Sequence, residues 1–169
     1  MADLASRERL QPSLLDRLTD HAPEHKRESF EQQTLSTPQL RQAVLRDLAS
    51  LLNTVNLATT EDLAAAPLAA KSVINYGIPG FTGLLRSSSK AAGLEAAVVE
   101  AIRAFEPRIR PDTLQVRAHG PDQDSPMPAL LFAIEGELWA QPAPQQVFLE
   151  TSIEIETRLA IVTDTRARG

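Results

Sequence analysis

The chain has 169 residues, 17 of them Lys or Arg and 22 Asp or Glu, for a formal charge of −5. That length fits one ordinary domain with a sizeable core, and a composition 43% hydrophobic and 23% charged is that of a folded globular chain. The acidic balance argues against binding nucleic acid through its phosphates, the absence of cysteine excludes disulfide and thiolate chemistry, and no run of about eighteen apolar residues exists to enter a membrane.

The charged opening, Met1 to Glu8, lacks the apolar stretch of a secretory signal, so the expected address is the cytoplasm. Residues 1–36 read as an arm. Within it, Leu14, Leu15 and Leu18 give a turn or so of amphipathic helix, too short to stand alone. A polar stretch from His21 to Gln33 follows. Such a helix either binds a partner or folds back on its own domain. Thr37-Pro38 reads as a capping residue followed by the first helical proline. Leu40, Val44, Leu45, Leu48, Leu51 and Leu52 then share one face of a core helix, with Arg41, Arg46 and Asp47 opposite and Asn53-Thr54 at its end.

A second helix is expected from about Ala66-Pro67, carrying Leu68, Val73 and Ile74 to a stop at Tyr76-Gly77. The loop Ile78-Pro79-Gly80-Phe81-Thr82-Gly83 has neither the preceding strand nor the Lys of a phosphate-binding loop and reads as a rigid turn. A third helix spans about Ser88 to Phe105, with Leu94, Val98, Ile102 and Phe105 on one face, and Pro107 ends it.

From there the period becomes two. Leu114, Val116 and Ala118 mark a short strand, and Leu130, Phe132, Ile134 and Leu138 a longer one. Alternation from Val147 through Ile153 to Leu159 and Ile161 predicts a third strand of about fifteen residues. The expectation is an α+β domain over residues 37–164: helices followed by a three-stranded antiparallel meander packed on them, with the arm before it and a tail at 165–169.

Chemistry has few residues to draw on. Of three histidines, His21 and His25 sit at i, i+4, but Pro23 interrupts the turn, and His119 precedes a turn-like Gly120-Pro121-Asp122, so no metal site is expected. Acidic residues alternate along the strands, and a pair such as Glu135 with Glu154 is the one basis for a lysozyme-like peptidoglycan hydrolase. Acids on a wet sheet face more commonly maintain solubility and block edge pairing. Phe105-Glu106-Pro107-Arg108-Ile109-Arg110-Pro111 stands apart. In an extended segment Glu106 and Arg108 project to one side, with Pro107 fixing the geometry between them. They form either a local ion pair at a helix end or a rigid contact whose arginine forks onto a partner's oxygen atoms.

Ser13-Leu14-Leu15-Asp16-Arg17-Leu18, Lys71-Ser72-Val73-Ile74-Asn75-Tyr76-Gly77-Ile78-Pro79 followed by Gly83, and Phe105-Glu106-Pro107-Arg108-Ile109 resemble, in that order, the motifs of the TssE family. These are baseplate subunits of the bacterial type VI secretion system, related to the lysozyme-like wedge protein of contractile-tailed phages. Gly80 departs from the family pattern, which carries an acidic residue there. The resemblance implies a structural protein without catalytic activity or cofactor. It further implies a place in the wedge beside TssF and TssG, with TssK linking the assembly to the inner-membrane complex. The sheet edge would then be a platform for the TssB/TssC contractile sheath. It favours the partner-contact reading of Glu106, Pro107 and Arg108, joined by Leu14, Leu15 and Leu18.

Overall fold

The computed structural model describes residues 13–19, 35–80, 88–119, 129–140, 144–154, 157 and 159–165. His21, His25 and the Gly120 turn lie outside them. Two helices cover one face of a four-stranded antiparallel sheet, so the α+β expectation holds. Helix α1 (Leu14–Leu18) is a single turn, α2 (Thr37–Leu52) the first long helix, α3 (Pro67–Ala70) another single turn, and α4 (Ser88–Phe105) the second long helix. The strands β1 (Gln115–His119), β2 (Ala129–Leu138), β3 (Gln145–Glu154) and β4 (Ala160–Asp164) follow as a meander in spatial order β1-β2-β3-β4.

Local chemistry sets each boundary. Ser36, one residue before the expected cap, accepts the Gln39 N–H while the Gln39 side chain returns to the Ser36 N–H, a reciprocal capping box at the start of α2. Leu40, Val44, Leu48, Leu51 and Leu52 then face the sheet, packing against Val98 and Ile102 of α4 and against Phe132, Ile134, Val147 and Leu149. Each such side chain contributes roughly 1.5–3 kcal/mol by leaving water. Helix α2 lies over the β4 side of the sheet and α4 over the β1 side.

Two expectations need correction. The predicted long third strand is a hairpin, making four strands rather than three. Its turn lies between Glu154 and Ala160, closed by the Glu154 N–H on the Leu159 carbonyl at 3.1 Å, and Ile153 then pairs with Ala160. Six residues, an even number, separate the paired Ile153 and Ala160, so the buried face passes from odd to even positions: Ala160 is buried, whereas Leu159 and Ile161 are exposed. The predicted second helix also fails. α3 lasts one turn, and a 3₁₀ turn at Val73–Asn75 follows Ser72. Leu68, Val73 and Ile74 are 85%, 79% and 66% exposed, because five- and six-residue gaps do not return to one helical face.

The turn after them is pinned from within. The Ile78 N–H donates to the Thr54 carbonyl at 2.9 Å and the Asn56 N–H to the Ile78 carbonyl at 3.0 Å. Gly77 holds φ at 118°, where a Cβ would fall 2.4 Å from the Thr54 carbonyl oxygen, so only glycine fits.

Candidate functional site

The segment that follows α4 is fixed by its backbone before its side chains act. The Glu106 N–H still donates to the Ile102 carbonyl at 2.8 Å; Pro107 then ends the helical ladder. Ile109 turns into the core and bridges to Leu138. The Trp139 N–H donates to the Arg108 carbonyl at 2.7 Å, and the Arg110 N–H to the Glu137 carbonyl at 2.9 Å. These two bonds bracket Ile109 against the end of β2 and fix the Arg108 carbonyl just before it.

The side chains close a chain of alternating charge. Glu106 is only 2% exposed. Its Oε1 accepts from Arg108 Nε at 2.6 Å and from the Arg108 backbone N–H at 3.2 Å, and its Oε2 accepts from Arg108 Nη2. Arg108 Nη2 also reaches Asp47 Oδ2 of α2 at 2.5 Å. Asp47 Oδ1 accepts from Arg46 Nε at 2.9 Å, and Arg46 Nη1 donates to Asp16 Oδ1 of α1 at 2.6 Å. Asp16 in turn caps α1, accepting from the Ser13 hydroxyl at 2.7 Å. Five ionic groups from three distant parts of the chain thus form one network. Beside it the Tyr76 ring packs edge-on against Phe105, with centroids 5.1 Å apart.

The electrostatics follow from this arrangement. Burial disfavours the Arg108 charge, but the Glu106 and Asp47 carboxylates outweigh it and hold the guanidinium above its ordinary value. Burial likewise opposes ionisation of Asp16, and hydrogen bonds from Arg46 and Ser13 prevail, leaving its carboxyl below the usual range. Arg46 is raised by Asp16 and Asp47 together. Within this network Arg108 Nη1 is buried and meets no acceptor among the described residues.

Of the expected contact residues, Glu106 and Arg108 meet directly, and the helical turn α1 is linked to them only through Asp16, Arg46 and Asp47, residues that the periodicity assigns to solvent or does not single out. Glu106 and Arg108 meet across a turn closed by the Ile109 N–H on the Glu106 carbonyl at 3.1 Å, not along the expected extended segment. Arg46 and Asp47, on the polar face of α2, complete the network. Through Asp16 they tie α1 to the same side of α2 as the Glu106–Arg108 bend. Leu15 and Leu18 of α1 remain 59% and 74% exposed; the Leu14 side chain lies outside the described residues. No sequence pattern marks Asp47, because its partner lies sixty-one residues away.

The Glu135–Glu154 pair does not meet. Glu135 pairs with Phe148 and Glu154 with Ala129, six residues apart along β3, which is roughly 20 Å at the rise of a strand. Paired glycosidase carboxyls lie about 5–9.5 Å apart. Among the described residues, no group of three or more His, Asp or Glu side chains is placed to hold a metal ion, and no helix is long and apolar enough to cross a membrane.

Comparison with known proteins gives one family: the model described as baseplate wedge protein gp25 matches residues 38–143, well over half of the chain. No curated protein matches it.

Proposed function

The chain belongs to the gp25 family of baseplate wedge proteins, and from that premise we propose that it is the TssE-type wedge subunit of a type VI secretion system, acting by assembly and not by catalysis. A structural role among other baseplate subunits follows from the family. The finer reading gives it TssF and TssG as wedge neighbours and TssK as the link to the inner-membrane complex. The TssB/TssC sheath is then its client and the cytoplasm its compartment.

The observation that carries this reading is the network from Asp16 to Glu106. It ties the helical turn that carries the exposed Leu15 and Leu18 to the polar face of α2 that also holds Arg108, whose side chain keeps 21% of its surface exposed. That combination suits a partner helix whose apolar side covers the leucines and whose carbonyl or carboxylate reaches Arg108. Glu106 and Pro107 contribute by holding the arginine in place. The sheath contact falls to the sheet margin at β4, where main-chain groups face outward.

Purification of the tagged full-length chain from its native host tests the proposal. Baseplate and sheath subunits are expected in the eluate, with no peptidoglycan turnover by the pure chain. Recovery of the chain alone, clearing peptidoglycan, would overturn it.

A further inference from the structure

The last strand of a sheet presents alternate N–H and C=O groups to one side, open to any extended segment. On β4 those groups belong to Ala160 and, two residues on, to Val162, since the intervening residues pair with β3. Ala160 is already taken. Asn53, the residue that ends α2, accepts the Ala160 N–H through Oδ1 at 2.8 Å and donates Nδ2 to the Ala160 carbonyl at 2.9 Å. Its second amide hydrogen goes to the Ala49 carbonyl at 2.7 Å. A side-chain amide carries the same donor and acceptor as a peptide unit, so Asn53 occupies the place that one residue of a fifth strand would fill. No side chain covers the outward groups of Val162 among the described residues. The other edge is covered more lightly: Glu95 accepts the Ala118 N–H at 2.6 Å and offers that residue's carbonyl no donor.

We propose that Asn53 is a displaceable placeholder for a partner strand. It blocks the first outward position of β4 in the free chain and must leave Ala160 before an extended segment of another chain can pair along the whole strand. The proposal rests on β4 being the assembly edge. Its physical content is an exchange: two hydrogen bonds to Asn53 are traded for two to an incoming backbone, and the strand gains the further pair at Val162. The same placeholder keeps a second copy away. A two-fold β4–β4 pairing centred on Val162 sets Ala160 of each copy opposite Asp164 of the other and so requires both asparagines to move.

Sedimentation velocity on the full-length chain, with a second copy as the probe strand, measures this directly. Asn53→Ala is expected to dimerise at least tenfold more tightly than wild type. Adding Ile161→Lys to Asn53→Ala, which places like charges on the exposed face of a β4–β4 pair, should reverse the gain. Asn53→Asp keeps the acceptor for the Ala160 N–H but loses the donor, and it should fall between wild type and Asn53→Ala. If Asn53→Ala is folded and no more dimeric than wild type, or if its dimer is indifferent to Ile161→Lys, the placeholder is wrong and Asn53 is only a helix cap. The edge itself is tested separately by Ile161→Lys alone in cells. Normal sheath assembly with that variant would sink the β4 platform while leaving the dimerisation result standing.

Discussion

The bend at Glu106–Arg108 and the excursion at Leu68–Ile74 reverse what their residue types lead one to expect. The bend is ionic, yet Glu106 is inside and its arginine is spent largely on the protein's own carboxylates. The excursion is apolar, yet Leu68, Val73 and Ile74 stand in solvent. The difference lies in what each segment can reach. Arg108 has its carbonyl fixed against the end of β2 and lies within range of two carboxylates, whereas the excursion has too little helix to present a face to the sheet. Charge at the bend therefore carries structure first, and any contact with another chain uses what is left over. The apolar excursion carries almost no stability of its own.

The sharpest way to break this contrast is to remove one member of the buried pair. Arg108→Ala leaves the Glu106 carboxylate buried without its counter-ion, and unfolding by urea should show a loss of about 3 kcal/mol. A loss below about 1 kcal/mol would mean the bend is a surface feature after all. It follows that loss of function in Arg108→Ala cannot by itself locate a partner contact. Arg108→Lys, which keeps the charge and loses the fork, is the better functional probe.

A second test concerns a polar group inside the sheet. Thr151 is fully buried in β3, and its hydroxyl meets no hydrogen-bond partner among the described residues. Thr151→Val should raise stability by about 1 kcal/mol, read as a higher urea midpoint at unchanged slope. A loss there would show that the hydroxyl is satisfied.

The outer end of the network should matter less. Asp16→Asn or Arg46→Gln removes a partly exposed bridge and should cost at most about 1 kcal/mol. The sign of the pH dependence follows from Asp16, whose folded pKa lies below its ordinary 3.8. Its contribution is complete above about pH 5, where the unfolded carboxyl is ionised, and disappears as pH falls through the lower folded value. Wild type and Asp16→Asn should therefore draw together in stability as pH is lowered below 3.8, and a gap that does not narrow would contradict the bridge. Smallest of all, Leu68→Ser and Ile74→Ser should change stability by no more than about 0.5 kcal/mol.

The sequence made legible those parts whose information is local. The 3.6-residue spacing from Leu40 to Leu52 and from Leu94 to Ile102 gives α2 and α4, and alternation from Leu130 to Leu138 gives β2. The β3–β4 hairpin was hidden because Ile155 to Leu159 contains no Gly, Pro, Asn or Asp, and the alternation runs on through the turn. α3 misled because Pro67 in an alanine-rich stretch starts a helix that nothing then buries. At the site, the sequence singled out Glu106 and Arg108 as a candidate ion pair but implied an extended backbone where the chain makes a turn closed by the Ile109 N–H on the Glu106 carbonyl. Asp47, Arg46 and Asn53 could not be found, since each acts on a residue brought near only by the fold.

If the chain works through assembly contacts at α1 and the adjoining bend, the exposed leucines of α1 are needed in cells. Time-lapse imaging of a fluorescent sheath tests it most directly, in cells lacking the chain and supplied with wild type or with Leu15→Asp/Leu18→Asp. Both leucines are exposed, so the variant should keep the wild-type melting temperature. Wild type is expected to restore sheath assembly, and the folded variant is not. Normal sheaths in the variant would contradict it.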